Sequence, residues 1–144
     1  ITESVLVERA ELLEGKLNEL SDFGCTIALD DFGTGYSSMA YLKKLPVDVV
    51  KIDRMFVEDI DQSADARAFV EAMIVMSHVL GKSVVAEGAE RDAEVAILRR
   101  LGCDLVQGYH FSRPLAATDF AAFATSFGRS DRRGEADTAS LSNA

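Results

Sequence analysis

The sequence contains no apolar run near the roughly 18 residues a membrane-spanning helix requires, and its start does not read as a signal peptide. Basic residues are scarce, with 15 Lys and Arg against 24 Asp and Glu for a formal net charge of −9. Such a surface repels nucleic-acid backbones and argues against a DNA or RNA polymer as partner. It leaves room for one small anionic ligand, because a bound metal ion can invert the local charge. The only cysteines, Cys25 and Cys103, have neither metal-ligand spacing nor a disulfide framework around them. Both are expected as small buried or half-buried thiols in a reducing cytosol. Internal repeats are absent, and so is low complexity before the C-terminal tail.

What is present suits a single domain with a real core: 144 residues, 48% of them apolar. The chain opens on Ile1 rather than Met, which predicts a fragment or excised domain. Leu6, Ala10, Leu13, Leu17 and Leu20 recur at helical spacing, predicting a helix over 4–20 that Gly24 stops. Short apolar runs at 25–29, 47–52, 83–86 and 104–106 predict strands. Helices are predicted over 37–45 (ended by Pro46), 65–80 (Phe69, Met73, Met76 and Leu80 on one stripe, Gly81 as the stop) and 92–101 (closed by Gly102). Thr118 is predicted to cap a last helix carrying Phe120, Phe123 and Phe127. From Arg129 the sequence is polar, small and aperiodic, predicting a disordered tail over 129–144.

Strands alternating with helices imply a parallel sheet with helical cover, either an open doubly wound sheet or a (β/α)8 barrel. Each apolar run ends in a polar group: Asp30 and Asp31, Lys51, Glu87, Gln107. Period-two alternation gives Asp30 the face of Ala28, Lys51 that of Val49, Glu87 that of Val85 and Gln107 that of Leu105. One functional group per strand end, all on one face, suits a barrel, which gathers those ends around a single mouth. A full barrel takes about 200 to 250 residues, so the fold class predicted is α/β, a partial (β/α)8 TIM-like barrel of about four C-terminal βα units.

Asp30 and Asp31 are adjacent hard oxygen donors at a strand end, with Gly33 and Gly35 permitting a turn. They suit magnesium or manganese, and paired ions about 3.5 to 4 Å apart are an arrangement that hydrolyses phosphodiesters. An Asp-Gly turn with a helix cap reads the same residues equally well. Asp31-Phe32-Gly33 also spells a kinase motif, but no Gly-rich loop or His-Arg-Asp loop accompanies it. A strand lysine such as Lys51 needs a partner: it can hold a hydroxide or phosphate oxygen, or snorkel to water. Glu87, just before a glycine, can act as general base on an attacking water. Glu90 can support it or serve as a helix-entry charge, and Gln107 can orient a water or ligand. His78 reads as a packing or surface residue. His110 is placed toward the mouth without a catalytic partner, and Arg113 in loop packing.

In series, these segments resemble the EAL family of cyclic-di-GMP phosphodiesterases. The matching stretches are Ile1-Thr-Glu-Ser4, Ala28-Leu-Asp-Asp-Phe-Gly-Thr-Gly-Tyr-Ser-Ser38, Leu45-Pro-Val-Asp48, Val50-Lys-Ile-Asp53, Val85-Ala-Glu-Gly88, Gln107-Gly-Tyr109 and Phe111-Ser-Arg-Pro114. They keep the family's order and spacing over residues 1 to about 127, and residues 1–128 are expected to be the C-terminal part of an EAL domain.

The resemblance implies metal-assisted water attack that linearises cyclic-di-GMP to pGpG at a two-metal Mg2+ or Mn2+ site. It implies Asp30 and Asp31 as metal ligands, Lys51 as the lysine holding the catalytic water, Glu87 as general base and Gln107 at the site. Gly33, Thr34, Gly35, Tyr36, Ser37 and Ser38 match a loop that completes metal and substrate binding and contributes homodimer contacts between EAL domains. Glu3 matches a glutamate anchoring that loop, and Glu90 a further acidic position. The signature Glu-Ala-Leu segment, the family's metal-binding asparagine and a third ligand just before Ile1 lie outside the sequence. These 144 residues alone are therefore expected to be inactive. The alternative is a non-catalytic cyclic-di-GMP-binding or regulatory EAL module. The implied location is cytoplasmic, with membrane anchoring left to upstream segments.

Overall fold

Period-two alternation decides which face each strand buries. In the computed structural model, which describes residues 1–34 and 39–126, four runs form strands, and the second and third follow that alternation strictly. They are β1 (Ala28–Phe32), β2 (Val49–Ile52), β3 (Ser83–Ala86) and β4 (Leu105–Val106). All pair in parallel and stand side by side in chain order. A doubly wound sheet would reverse that order at a switch point, and these four strands show no reversal. The fold is α/β, a partial TIM-like barrel, as expected. Its helices are α1 (Glu3–Asp22), α2 (Met39–Lys44), α3 (Arg54–Val57), α4 (Ala64–Val79) and α5 (Asp92–Arg100).

Register turns the alternation into a core. Leu29, Val50 and Val84 align across β1, β2 and β3, and Phe32, Ile52 and Ala86 form the next row. All six are buried, in one cluster with Leu17, Leu42, Val70, Ile74 and Leu98 from the helices. Each such large side chain stabilises the fold by about 1.5–3 kcal/mol. The opposite face, with Ala28, Val49 and Val85, is half-buried, and Leu105 on it is exposed.

Leu29 and Phe32 cannot both face the core in a regular strand, because they are three residues apart. The pairing resolves this: Leu29 opposes Val50 and Phe32 opposes Ile52, so Asp30 and Asp31 together oppose Lys51. That is a β-bulge, and Asp31 takes a left-handed conformation within it (φ 58°). Asp is among the few non-glycine residues that tolerate this region.

Several expectations need correction. β1 begins at Ala28 rather than at residue 25, because the Ile27 amide donates to the Asp48 carboxylate (2.7 Å) rather than to a ladder. Cys25 is exposed, since the chain has not yet entered the sheet there, whereas Cys103 is half-buried. α3, a single turn, was not foreseen; Asp53 caps it by accepting from the Met55 amide (2.8 Å). On α4 the buried stripe is Val70, Met73, Ile74 and Ser77, while Phe69 is half-exposed and packs on Phe56. Gly24, Gly81 and Gly102 follow α1, α4 and α5 as predicted.

Ile1–Phe111 form one compact unit, and a second begins at Ser112. In the second, residues 117–126 form α6. The Asp119 and Phe120 amides both donate to the Ala116 carbonyl, so Thr118 lies inside the first turn rather than at the cap. The Phe120 and Phe123 rings are 6.5 Å apart. Phe127 and the tail 129–144 lie outside the described residues. No helix among the described residues is long and apolar enough to cross a membrane.

Candidate active site at the strand ends

Lys51 sits on the half-buried face near the C-terminal end of β2, flanked by β1 and β3. Its Nζ lies 2.8 Å from Asp30 Oδ1 on one side and 2.6 Å from Glu87 Oε1 on the other. Register explains the reach: Lys51 opposes Val85, so Glu87 stands two residues further along the same face, within the length of a lysine stem. The Glu87 amide extends the ladder by donating to the Ile52 carbonyl (3.1 Å). Three adjacent strands thus deliver two carboxylates and one ammonium to one point.

The electrostatics follow from that contact. The hydrogen bond from Lys51 holds the Asp30 carboxyl below the ordinary carboxylate range, against a smaller opposing effect of burial. Burial pushes the Lys51 ammonium toward losing its proton, but Asp30 and Glu87 outweigh it and hold its pKa above the usual lysine value. Lys51 is therefore a proton-retaining cation that can position an anion or a water.

The bulge brings Asp31 to the same strand end. Its carbonyl accepts from the Thr34 hydroxyl (2.8 Å) and, more weakly, from the Thr34 amide (3.3 Å), which closes the turn. Gly33 is required there: at φ 98°, an added Cβ would lie 2.7 Å from the Phe56 ring. Ahead of α1, Thr2 pairs in parallel with Asp30, and the Asp30 amide donates to the Ile1 carbonyl (2.7 Å). Glu3, the first residue of α1, therefore starts beside this strand end. Gly35, Tyr36, Ser37 and Ser38 lie outside the described residues.

Glu90 is not drawn into the Lys51 cluster. It pairs with Arg54 at 3.1 Å. Gln107 follows β4, donating its amide to the Ala86 carbonyl (2.8 Å) and accepting from the Ala89 amide (3.2 Å). His110 lies 3.6 Å from Asp92 and edge-on to Phe111, and Arg113 belongs to the second unit. His78 is at the other end of the sheet, 2.8 Å from Asp104. A cleft of about 240 Å³ lies between α3 and the loop after β3, lined by Arg54, Gly88, Glu90 and Arg91 among others. Ligand pockets run to about 300–1,000 Å³ and are mostly apolar. This charged seam omits Asp30, Lys51 and Glu87, and it does not qualify as one.

The family described as the EAL domain matches residues 1–114. The chain belongs to the EAL-domain family. Cyclic di-GMP phosphodiesterase NbdA of Pseudomonas aeruginosa is 45% identical over 115 residues, which are 80% of this chain and 15% of NbdA. The solved complex of P. aeruginosa MucR phosphodiesterase with c-di-GMP superposes with a TM-score of 0.79 at 41% identity, covering 83% of this chain and 49% of that one. The manganese and c-di-GMP complex of Klebsiella pneumoniae BlrP1 gives 0.73 at 36% identity, covering 78% and 29%. This EAL chain thus spans a small part of its curated relative and about half of the MucR structure.

Asp30 and Asp31 suit a divalent cation in kind. Magnesium is commonly held through one or two carboxylates with waters and phosphate oxygens completing its shell. Among the described residues of this EAL chain, no three His, Cys, Asp or Glu side chains converge on one metal position. Asp30 and Asp31 could supply two oxygen donors to such an ion, with its remaining ligands coming from elsewhere.

Sequence reasoning missed two arginines and a buried glutamate. Glu94 is 2% exposed in its side chain and forms an ion pair with Arg91 (2.6 Å). Burial pushes its carboxyl up, but the Glu90 and Arg91 amides and the Arg91 guanidinium prevail and hold it below the usual range. The signal was available: Arg91 and Glu94 stand three apart at a helix entrance, the spacing of a capping box. Nothing local distinguishes Arg54.

Proposed function

We propose that this chain is the part of a cyclic-di-GMP phosphodiesterase that carries the lysine, the general base and two metal-holding aspartates. The observation that carries the reading is Lys51 bridging Asp30 and Glu87 across three adjacent strands. The names of NbdA and MucR, both phosphodiesterases, support it from outside.

In this reading Asp30 and Asp31 would hold Mg2+ or Mn2+, which supplies charge neutralisation and Lewis-acid polarisation at the phosphoryl group. Lys51 orients the attacking water or a phosphate oxygen through its ammonium protons. Glu87 accepts a proton from that water as its oxygen bonds to phosphorus. The bond from phosphorus to the ribose 3′ oxygen breaks, that oxygen takes up a proton, and pGpG is the product. Gln107 and Glu90 serve at the rim. Gly33 and Thr34, with Gly35, Tyr36, Ser37 and Ser38, are assigned to a loop that helps complete metal and substrate binding and contributes to contacts with a second EAL domain, and Glu3 is assigned to anchoring that loop.

Because the chain spans half of the MucR structure, activity is assigned to an EAL domain of full family length that contains it. The test is incubation with cyclic-di-GMP and Mg2+ or Mn2+, followed by chromatography. The full-length domain is expected to yield pGpG and residues 1–144 alone none. Binding without cleavage by the full-length domain would replace the enzyme with a sensing module. Turnover by residues 1–144 would overturn the division of the site.

A further inference from the structure

α3 has only four residues, yet it meets both loops that carry the site. On a helix, residues i and i+2 point about 200° apart, to opposite sides. Arg54 and Phe56 stand in that relation. On one side the Arg54 stem lies against Gly88, where an added Cβ would come within 2.6 Å of Arg54 Cβ, and its guanidinium pairs with Glu90 (3.1 Å). Gly88 directly follows Glu87. On the other side, the Phe56 ring packs against Gly33 and against Phe69, with centroids 5.2 Å apart. Gly33 follows Asp31 by two residues and Asp30 by three. The helix is tied to the end of β2 through the Asp53 cap, two residues beyond Lys51.

We infer that Arg54 and Phe56 are positioning residues, holding the loops after β3 and β1 at a fixed separation so that Lys51 stands between Glu87 and Asp30. The far end of the β3 loop is fastened independently. Glu94 accepts from the Glu90 amide (2.7 Å) and the Arg91 amide (2.9 Å), and Arg91 reaches Asp61 on the α3–α4 connection (2.9 Å). The loop carrying Glu87 is thus anchored at Gly88, at Glu90 and at Arg91, each time to the segment that follows Lys51. The catalytic meaning of this frame rests on the function proposed above; the frame itself does not.

The experiment has two arms. In the first, hydrogen–deuterium exchange is followed on residues 1–144 for R54A, R54K and F56L. R54A is expected to speed exchange in the peptide 86–91 by about tenfold while leaving 28–34 unchanged, and F56L is expected to do the reverse. In the second, the same substitutions are made in the full-length EAL domain and cyclic-di-GMP hydrolysis is measured. For R54A and F56L, kcat is expected to fall on the order of 10²-fold with KM within about threefold, and R54K is expected to recover most of it. Should R54A fail to fold, R54K and F56L still decide the matter. Exchange that rises uniformly along the chain, or a loss in hydrolysis explained by lowered folded fraction, overturns the inference. If the unsubstituted full-length domain makes no pGpG, the proposed function fails while the exchange arm still judges the frame.

Discussion

At the N-terminal end of the sheet, Asp48 accepts from the Ile27 amide and Asp104 from the Val84 amide, each at 2.7 Å. At the C-terminal end, Asp30 and Glu87 instead converge on one lysine. All four are carboxylates beside a parallel sheet, but their partners differ in mobility. A backbone amide cannot leave without the strand it belongs to, whereas an ammonium on a four-carbon stem can swing aside. The first pair closes the strand entrances. The second can exchange its lysine contact for a cation or a water. In the function proposed, the two ends of one sheet separate structural carboxylates from chemical ones by partner rather than by residue type.

The comparison is broken most directly at Lys51. K51M in a full-length EAL domain is expected to lower kcat on the order of 10²- to 10³-fold with the folded fraction preserved, measured by pGpG release and circular dichroism. Unfolding of K51M under assay conditions would place Lys51 with the structural group. Next comes D48A, which strands the Ile27 amide. It is expected to cost about 2 kcal/mol in chemical denaturation of residues 1–144 and to leave kcat per folded full-length domain unchanged. A stability loss matched by no activity change keeps the two ends distinct.

A smaller effect is expected in pH dependence. The Asp30 carboxyl is depressed, so its contribution is complete above the ordinary carboxylate range and fades as pH falls through the lowered value. The Lys51 ammonium is raised, so its contribution is complete below the ordinary lysine value and fades as pH rises through the elevated one. Both side chains remain partly exposed, at 37% and 24%, and solvent screening holds the pair to about 1 kcal/mol or less. K51M is expected to flatten both arms in denaturation series at acid and alkaline pH. The smallest expected change is H78A, which removes one partner of an exposed pair. Burial pushes the Asp104 carboxyl up, but His78 and the Val84 amide hold it below the usual range. H78A should cost at most about 1 kcal/mol near neutrality, with D104A exceeding it because the Val84 amide is also lost.

Much of the site was legible because strand parity is legible. Asp30, Lys51 and Glu87 follow short apolar runs, and counting by two gave them one face without knowledge of the fold. Counting by two cannot reveal the bulge, since the apolar run ends at Leu29 and only the burial of Phe32 shows that parity has shifted. α3 was invisible for another reason: four residues carry no period, and its only local mark is the Asp53 cap. On α4 the expected stripe holds at Met73 but not at Phe69, which packs on Phe56 while Val70 takes the buried position. The Arg54 contacts are tertiary, and no local pattern encodes them.

The bulge has a consequence for how this segment tolerates change over evolutionary time. It works as a parity switch: residues before it and after it are sorted to the two faces by opposite rules. Substituting Asp30 or Asp31 alters the chemistry of one position. Losing either one outright would leave Leu29 and Phe32 two residues apart, both facing the core in a regular strand, and would remove the bulge together with one carboxylate. The core face alone therefore does not call for the extra residue; what that residue adds is a second carboxylate at the strand end.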